Sequence, residues 1–224
     1  MERDFDVIVD RSDTYCLKQE FGKVFGKPDN LIPLWVADMD FLCPVSVTER
    51  LSELCRKGIF GYSAHNESYF EAAKSWFSRR FGWEPQWDWM VHTPGVVFAV
   101  NMAVRALTEP GDGVLIQEPV YYPFRKAIEN NGRKVVNSPL VLKDGRYEMN
   151  FPDMEEKIKS RNVKLFILCS PHNPVGRVWT DEELRTVGEI CRRCGVTVVS
   201  DEIHCDFTRK GHVHHVFASA GEDF

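Results

Sequence analysis

From Pro44 onward the sequence alternates between segments with helical hydrophobic spacing and short β-branched runs, which restricts it to an α/β fold on a mainly parallel sheet. Parallel neighbours cannot be joined by a tight turn, so the helical segments serve as the crossovers. Pro44 suits a first helical turn and is followed by Val47, Leu51, Leu54 and Cys55 until Gly58. A second helix starts near Asn66, carries Tyr69, Ala73, Trp76 and Phe77 on one face and stops at Gly82. Residues 95–107 are apolar on nearly every side, broken only by Asn101 and Arg105, which predicts a buried helix. Thr180-Asp181-Glu182-Glu183 reads as a capping box, followed by Leu184, Val187, Ile190, Cys191 and Cys194. Strands are predicted at 90–93, 114–118, 134–138, 164–169 and 196–200. Residues 1–43 are irregular in texture and form a separate N-terminal segment, leaving 44–224 as the α/β domain.

A chain of 224 residues can bury roughly 70% of its unfolded surface without staples. Its 28 Lys and Arg against 33 Asp and Glu give a net charge of −5, with both signs interspersed, so no basic surface for nucleic acid is expected. No stretch approaches the ~18 apolar residues of a membrane span, and the charged start Met1-Glu2-Arg3-Asp4 is unlike a signal peptide, so a cytoplasmic protein is expected. The seven cysteines follow no framework spacing and read as reduced thiols. Cys191 and Cys194 have no second Cys-x-x-Cys to complete a zinc site, and residues 211–215, with His212, His214 and His215, read as a polar loop; no metal is expected.

In open parallel sheets ligands sit at the carboxyl ends of strands. Thr93-Pro94-Gly95 joins a predicted strand to a helix whose first N–H groups, at Gly95, Val96 and Val97, would suit a phosphate; an ordinary strand-to-helix turn reads the same way. Asp201 follows the run at 196–200 directly and, beside apolar walls, needs a cationic partner. Asn173 lies between Pro171 and Pro174 in a stiff turn, and Tyr121 follows another strand. A salt-bridged Asp, an Asx-turn and a packing aromatic account for these three equally well. Taken together, the four features suit a flat cationic heterocycle bearing a phosphate.

Several runs carry a resemblance: Ile32-Pro33-Leu34-Trp35-Val36-Ala37-Asp38-Met39-Asp40-Phe41, Phe60-Gly61-Tyr62, Pro110-Gly111-Asp112-Gly113-Val114, Ser170-Pro171-His172-Asn173-Pro174-Val175-Gly176-Arg177-Val178-Trp179 and Ser200-Asp201-Glu202-Ile203-His204. With them the chain resembles the fold-type I pyridoxal-phosphate enzymes, most closely the MalY/PatB-type cystathionine β-lyases of the class I/II aminotransferase group. The resemblance implies that 44–224 is the cofactor-binding large domain, incomplete at its C-terminal side, and that 1–43 belongs to the small domain. It further implies that Asp201 pairs with the pyridine nitrogen, Asn173 donates to the ring hydroxyl oxygen, Tyr121 stacks on the ring, and the Gly95-Val96-Val97 backbone holds the phosphate. His204 would stand near the ring hydroxyl and the Ala37 N–H would meet the substrate carboxylate. Tyr62 would reach the phosphate of the other subunit's cofactor, which implies a homodimer. The implied reaction removes the Cα proton of an S-substituted amino acid and expels a thiolate from Cβ, giving thiol, pyruvate and ammonia.

The Schiff-base lysine of the family is expected beyond Phe224, since Lys210 comes too early, so the 224-residue chain alone is expected to be inactive. In the implied sheet the first strand lies next to the seventh, followed by the sixth, fifth, fourth, second and third. The run at 196–200 would then be left as an apolar edge, and 90–93 would have no neighbour. Alternatives are a class I/II aminotransferase, a non-catalytic binding module on the same fold, and a metal-dependent hydrolase using His204, His212, His214 and Asp206.

Overall fold

The computed structural model describes residues 4–20, 22, 25–28 and 31–221, which form two compact units, up to residue 64 and from residue 65. The first unit holds the short helix α1 (Leu17–Glu20) and α2 (Val45–Lys57). α2 begins after Pro44 and ends at Gly58, whose φ of 67° needs glycine and whose N–H donates to Cys55 O at 3.1 Å. Its apolar face is the expected one, yet Val47, Leu51 and Leu54 are exposed and no residue of the helix is buried.

Side chains tie the N-terminal segment together over long sequence distances. Arg11 donates to Asp38 Oδ2 at 2.6 Å and to Asp40 Oδ1 at 2.9 Å. Buried Lys18 donates from Nζ to Asp40 Oδ2 at 2.6 Å and to the Asp38 carbonyl at 3.1 Å. Hydrogen bonds from Arg11 and Lys18 hold the Asp38 and Asp40 carboxyls below their usual range, and the two carboxylates in turn raise Arg11 and Lys18.

The second unit runs α3 (Glu67–Phe81), α4 (Val96–Leu107), β1 (Gly113–Ile116), α5 (Pro123–Asn130), β2 (Lys134–Asn137), β3 (Val141–Lys143), β4 (Arg146–Glu148), α6 (Phe151–Ser160), β5 (Val163–Cys169), α7 (Asp181–Cys194) and β6 (Thr197–Asp201). The main sheet is parallel with order β2-β1-β5-β6, the arrangement expected for the third, second, fourth and fifth strands of the implied fold. Alternation along the strands builds a core on each face. Leu115, Phe166 and Leu168 pack with Met154, Leu184, Val187 and Trp179, whereas Val114, Ile116, Leu165 and Ile167 pack with Val100, Val104, Phe124 and Ile128. Among the described residues β6 pairs only with β5, so it is an edge, and a cavity of about 600 Å³ opens beside it, lined by Phe77, Trp83, Val196, Val198 and Val216.

Four expectations change. Residues 90–93 lie outside every helix and strand, because a strand requires a ladder partner and none is present among the described residues. The helix expected to be buried exists, but only Val100 and Val104 are buried while Val97, Phe98, Met102 and Leu107 are exposed, since the sheet covers one side of it. The loop at 211–215 contains a buried histidine: His214 is 3% exposed, and its Nε2 lies 2.8 Å from Glu202 Oε2. The hairpin β3–β4 was not anticipated from periodicity, although its turn residues Asp144 (φ 50°) and Gly145 (φ 77°) carry the Asp-Gly signature of a tight hairpin.

The loop after β5 is anchored from several directions. The capping box of α7 is present, with Glu183 N donating to Thr180 Oγ1 at 3.2 Å and Thr180 N to Glu183 Oε2 at 2.8 Å. Arg177 donates to both Glu183 oxygens at 2.7 Å and to the Tyr147 carbonyl, and its guanidinium lies 4.4 Å from the centre of the Trp179 ring. Trp179 Nε1 donates to Cys169 O at 2.8 Å, and the buried His172 ring meets Trp179 edge-on at 5.5 Å. His172 Nε2 donates to Pro119 O at 3.0 Å, which joins this loop to the one after β1. Burial pushes the His172 imidazolium pKa down to about 4.

Two outcomes follow from this packing. A methyl group added at Gly113 would sit 2.7 Å from Arg161 O and 3.1 Å from Val136 Cγ2, so Gly113→Ala should destabilise by about 1–3 kcal/mol in urea unfolding; a loss under about 0.5 kcal/mol would mean that the Arg161 turn moves freely. His172 stays neutral in the fold, so its contribution is complete above its unfolded pKa of 6.5 and is lost as pH falls from there toward about 4, on the order of 3 kcal/mol. An NMR titration of the His172 ring should give a midpoint well below 6.5, and an ordinary midpoint would contradict its burial.

Candidate functional site

The carboxyl ends of β5 and β6 lie side by side, with Cys169 opposite Asp201 and Ser170 N donating to Asp201 O at 2.9 Å. Asp201 is 6% exposed, and its side chain accepts from Ile203 N at 3.1 Å. Desolvation raises its pKa, and no Lys or Arg among the described residues forms an ion pair with it. The site therefore holds a buried acid whose charged form lacks a cation.

Asn173 lies in the loop after β5, where its backbone N–H donates to Cys169 Sγ at 3.4 Å; Asn173 itself is half-buried. Burial and the nearby Asp201 charge push the Cys169 thiol up to about 12, so it accepts that bond as an inert neutral group. Tyr121, after β1, is half-buried, with its ring edge-on to Phe124 at 5.8 Å. Burial, Tyr122 and Asp201 all raise its hydroxyl pKa, and the Asp201 effect places these two groups within electrostatic reach. His204 lies in the turn after β6, half-buried, and partly offsets the desolvation of Asp201.

Gly95 caps α4 at φ 148°, a conformation that suits glycine, and the first helical bond runs from Ala99 N to Gly95 O at 3.0 Å. The N–H groups of Val96 and Val97 thus precede the hydrogen-bond ladder and carry the positive end of a twelve-residue helix that packs on β5 and β6. Ala37 and Tyr62 belong to the first unit: Ala37 is exposed beside Val36, whose φ is 61°, and Tyr62 is fully exposed between α2 and α3.

The alternative metal set is not assembled. Asp206 accepts from Arg80 Nε and Trp76 Nε1, each at 3.1 Å, His214 is engaged by Glu202, and no group of three ligating side chains occurs among the described residues. Spacing alone gave no role to Glu202, which accepts from Ser200 Oγ at 2.7 Å and Phe217 N at 2.9 Å besides contacting His214, and so braces the turn behind Asp201. Neither did it single out His172, whose signal is only its place at a strand end next to Asn173.

The family "Aminotransferase class I and II" matches residues 35–223. Cystathionine beta-lyase PatB of Bacillus subtilis is 48% identical over 221 residues, covering 98% of this chain and 57% of that protein. Protein MalY of Escherichia coli is 36% identical over 205 residues, covering 91% of this chain and 52% of its own length. Among solved structures, the PLP-bound C-S lyase from Staphylococcus hominis superposes with a TM-score of 0.92 at 39% identity, covering 100% of this chain and 57% of the other. Cystalysin from Treponema denticola, which contains a pyridoxal 5'-phosphate cofactor, superposes with a TM-score of 0.92 at 40% identity and the same coverage. The chain thus spans a little over half the length of these relatives, and no helix among its described residues is long and apolar enough to cross a membrane. On its sequence and its fold, the chain belongs to the class I and II aminotransferase family.

Proposed function

We propose that the gene product carrying this chain is a pyridoxal-phosphate-dependent carbon–sulfur β-lyase that cleaves cystathionine or other S-substituted cysteines to thiol, pyruvate and ammonia. The observation that carries the proposal is Asp201, an acid buried at a strand end that forms no ion pair with a Lys or Arg among the described residues. The relatives whose names specify cystathionine β-lyase or C–S lyase support the choice of reaction.

The residues fit the cofactor by their chemistry. A pyridinium offers Asp201 the cation that would offset its desolvation, and ring and carboxylate would keep each other charged. The Gly95, Val96 and Val97 N–H groups suit its phosphate, and the Tyr121 face suits its ring. The Asn173 amide suits the ring hydroxyl oxygen, with His204 nearby. When bound, the cofactor supplies an electron sink for the pair left on the substrate Cα. Asp201 would hold the proton on the ring nitrogen, the Asn173 loop would fix the plane of the ring, and the Ala37 N–H would orient the substrate carboxylate. The α-amino acid would thereby present its Cα proton and its Cβ–S bond in one fixed direction. We include in the proposal a homodimer in which fully exposed Tyr62 reaches the partner's cofactor, and a cytoplasmic setting, in keeping with the reduced-thiol reading of the cysteines.

In the full-length gene product Asp201→Asn should preserve folding but lower β-elimination by two or more orders of magnitude, at ~1.4 kcal/mol of barrier per tenfold. Wild-type turnover in this variant with cofactor bound would remove the assignment, and transamination without thiol release would redirect it to an aminotransferase. The dimer is tested by mixing two inactive variants, Tyr62→Phe and one lacking the Schiff-base lysine. Heterodimers should regain activity, because some composite sites then contain both intact residues; heterodimers without recovery would refute the shared site.

A further inference from the structure

Residues 34–41 belong to no helix or strand and make no backbone-to-backbone hydrogen bond among the described residues, so side chains alone hold this segment. Within it Val36 adopts φ 61°, which a β-branched residue strongly disfavours. Of the five described non-glycine residues with positive φ, Asp13, Asp144 and Asn162 are of the types that tolerate it, while Tyr15 and Val36 are not, and both lie beside the charge network of the first unit. Strain of this kind persists only where the surroundings over-determine the backbone, and it is concentrated at ligand-binding segments.

The surroundings here are Arg11 and Lys18. Arg11 bridges Asp38 and Asp40 at 2.6 and 2.9 Å, and Lys18 contacts the Asp40 carboxylate at 2.6 Å and the Asp38 carbonyl at 3.1 Å. Asp38 Oδ1 is buried without a hydrogen bond, 3.7 Å from Lys18 Nζ, so its charge depends on the two cations. Cys16 Sγ approaches Asp38 Oδ2 at 3.8 Å, and Phe5 packs edge-on against Phe41 at 5.4 Å. The result is a segment fixed on both sides of Ala37, by a strained residue before it and by two clamped aspartates after it. Ala37 is exposed, and its N–H makes no hydrogen bond among the described residues.

We propose that Arg11 and Lys18 are positioning residues for recognition of the substrate's α-carboxylate: through Asp38 and Asp40 they hold residues 36–40 in the strained conformation that presents the Ala37 N–H. The inference rests on the reading above in which Ala37 meets that carboxylate. Neither cation touches the substrate; each acts through the backbone of its aspartate partners. Because the N–H contact is made in the ground state and the transition state alike, losing the clamp weakens uniform binding and leaves the chemical step intact.

The test uses the full-length holoenzyme with L-cystathionine, comparing wild type, Arg11→Gln, Asp40→Asn, Val36→Gly and the double variant Arg11→Gln/Val36→Gly. Arg11→Gln and Asp40→Asn should raise KM about tenfold, with kcat within about twofold and cofactor affinity unchanged. Hydrogen exchange of the amides at 36–41 should be faster in both. Glycine at position 36 removes the strain that the clamp opposes, so the double variant should recover at least about threefold of the lost KM. A purely structural staple predicts a lower melting temperature with wild-type KM and wild-type exchange at 36–41; that result in a folded Arg11→Gln, or in Asp40→Asn should the arginine variant not fold, overturns the proposal. Absence of recovery in the double variant overturns it as well. A wild-type holoenzyme that fails to turn over S-substituted cysteines overturns the proposed function itself, and is recognised before any variant is compared.

Discussion

The cost of burying an acid at a strand end is the constraint around which the candidate site is built. Asp201 sits at the end of β6 because a parallel strand rich in β-branched residues delivers its last side chain to the carboxyl edge of the sheet. Its burial is costly, and the protein supplies only a backbone N–H and the partial help of His204. Under the proposal above, a bound cation would offset that cost. The same reasoning explains why the Glu202, Ser200 and His214 contacts crowd behind the turn: a polar brace fixes the direction of the carboxylate without neutralising it.

The neighbouring loops are locked by packing and not by length. His172 reaches Pro119 O, Trp179 reaches Cys169 O, and Arg177 spans Tyr147, Glu183 and the Trp179 face, so side-chain contacts join the loops after β1 and β5. Keeping His172 neutral is part of that arrangement, since a charge there would be buried against Trp179 and Pro119. Tyr121 and Asn173 lie in the loops that these contacts join.

The parts that were legible in the sequence are those whose signals are local. The capping box at Thr180 and Glu183, the β-branched runs at 114–118, 164–169 and 196–200, and the Gly95 turn all carry their partners within a few residues or within a uniform apolar run. Hydrophobic periodicity reports which face is apolar but not whether anything covers it, which is why 90–93 forms no strand and why Val97, Phe98 and Met102 of α4 are exposed. The helices α5 and α6 received no prediction; Pro123 and Pro152 sit in their first turns, where proline is tolerated. The bonds from Arg11 to Asp38 and Asp40 span 27 and 29 residues, and the positive φ of Val36 has no local sequence signal. The candidate residues Asp201, Asn173 and Tyr121 could be picked out from their places after predicted strands, whereas the contacts of Glu202 with His214 and Phe217 required the fold.

The measurement that addresses the account most directly is the protonation state of the cofactor's ring nitrogen in the full-length gene product, read from the ¹⁵N chemical shift of labelled pyridoxal phosphate. If the ring nitrogen faces Asp201, it is protonated at neutral pH, where the carboxylate and the pyridinium hold each other charged. A shift characteristic of an unprotonated pyridine at that pH, with cofactor bound and Asp201 intact, would contradict the account.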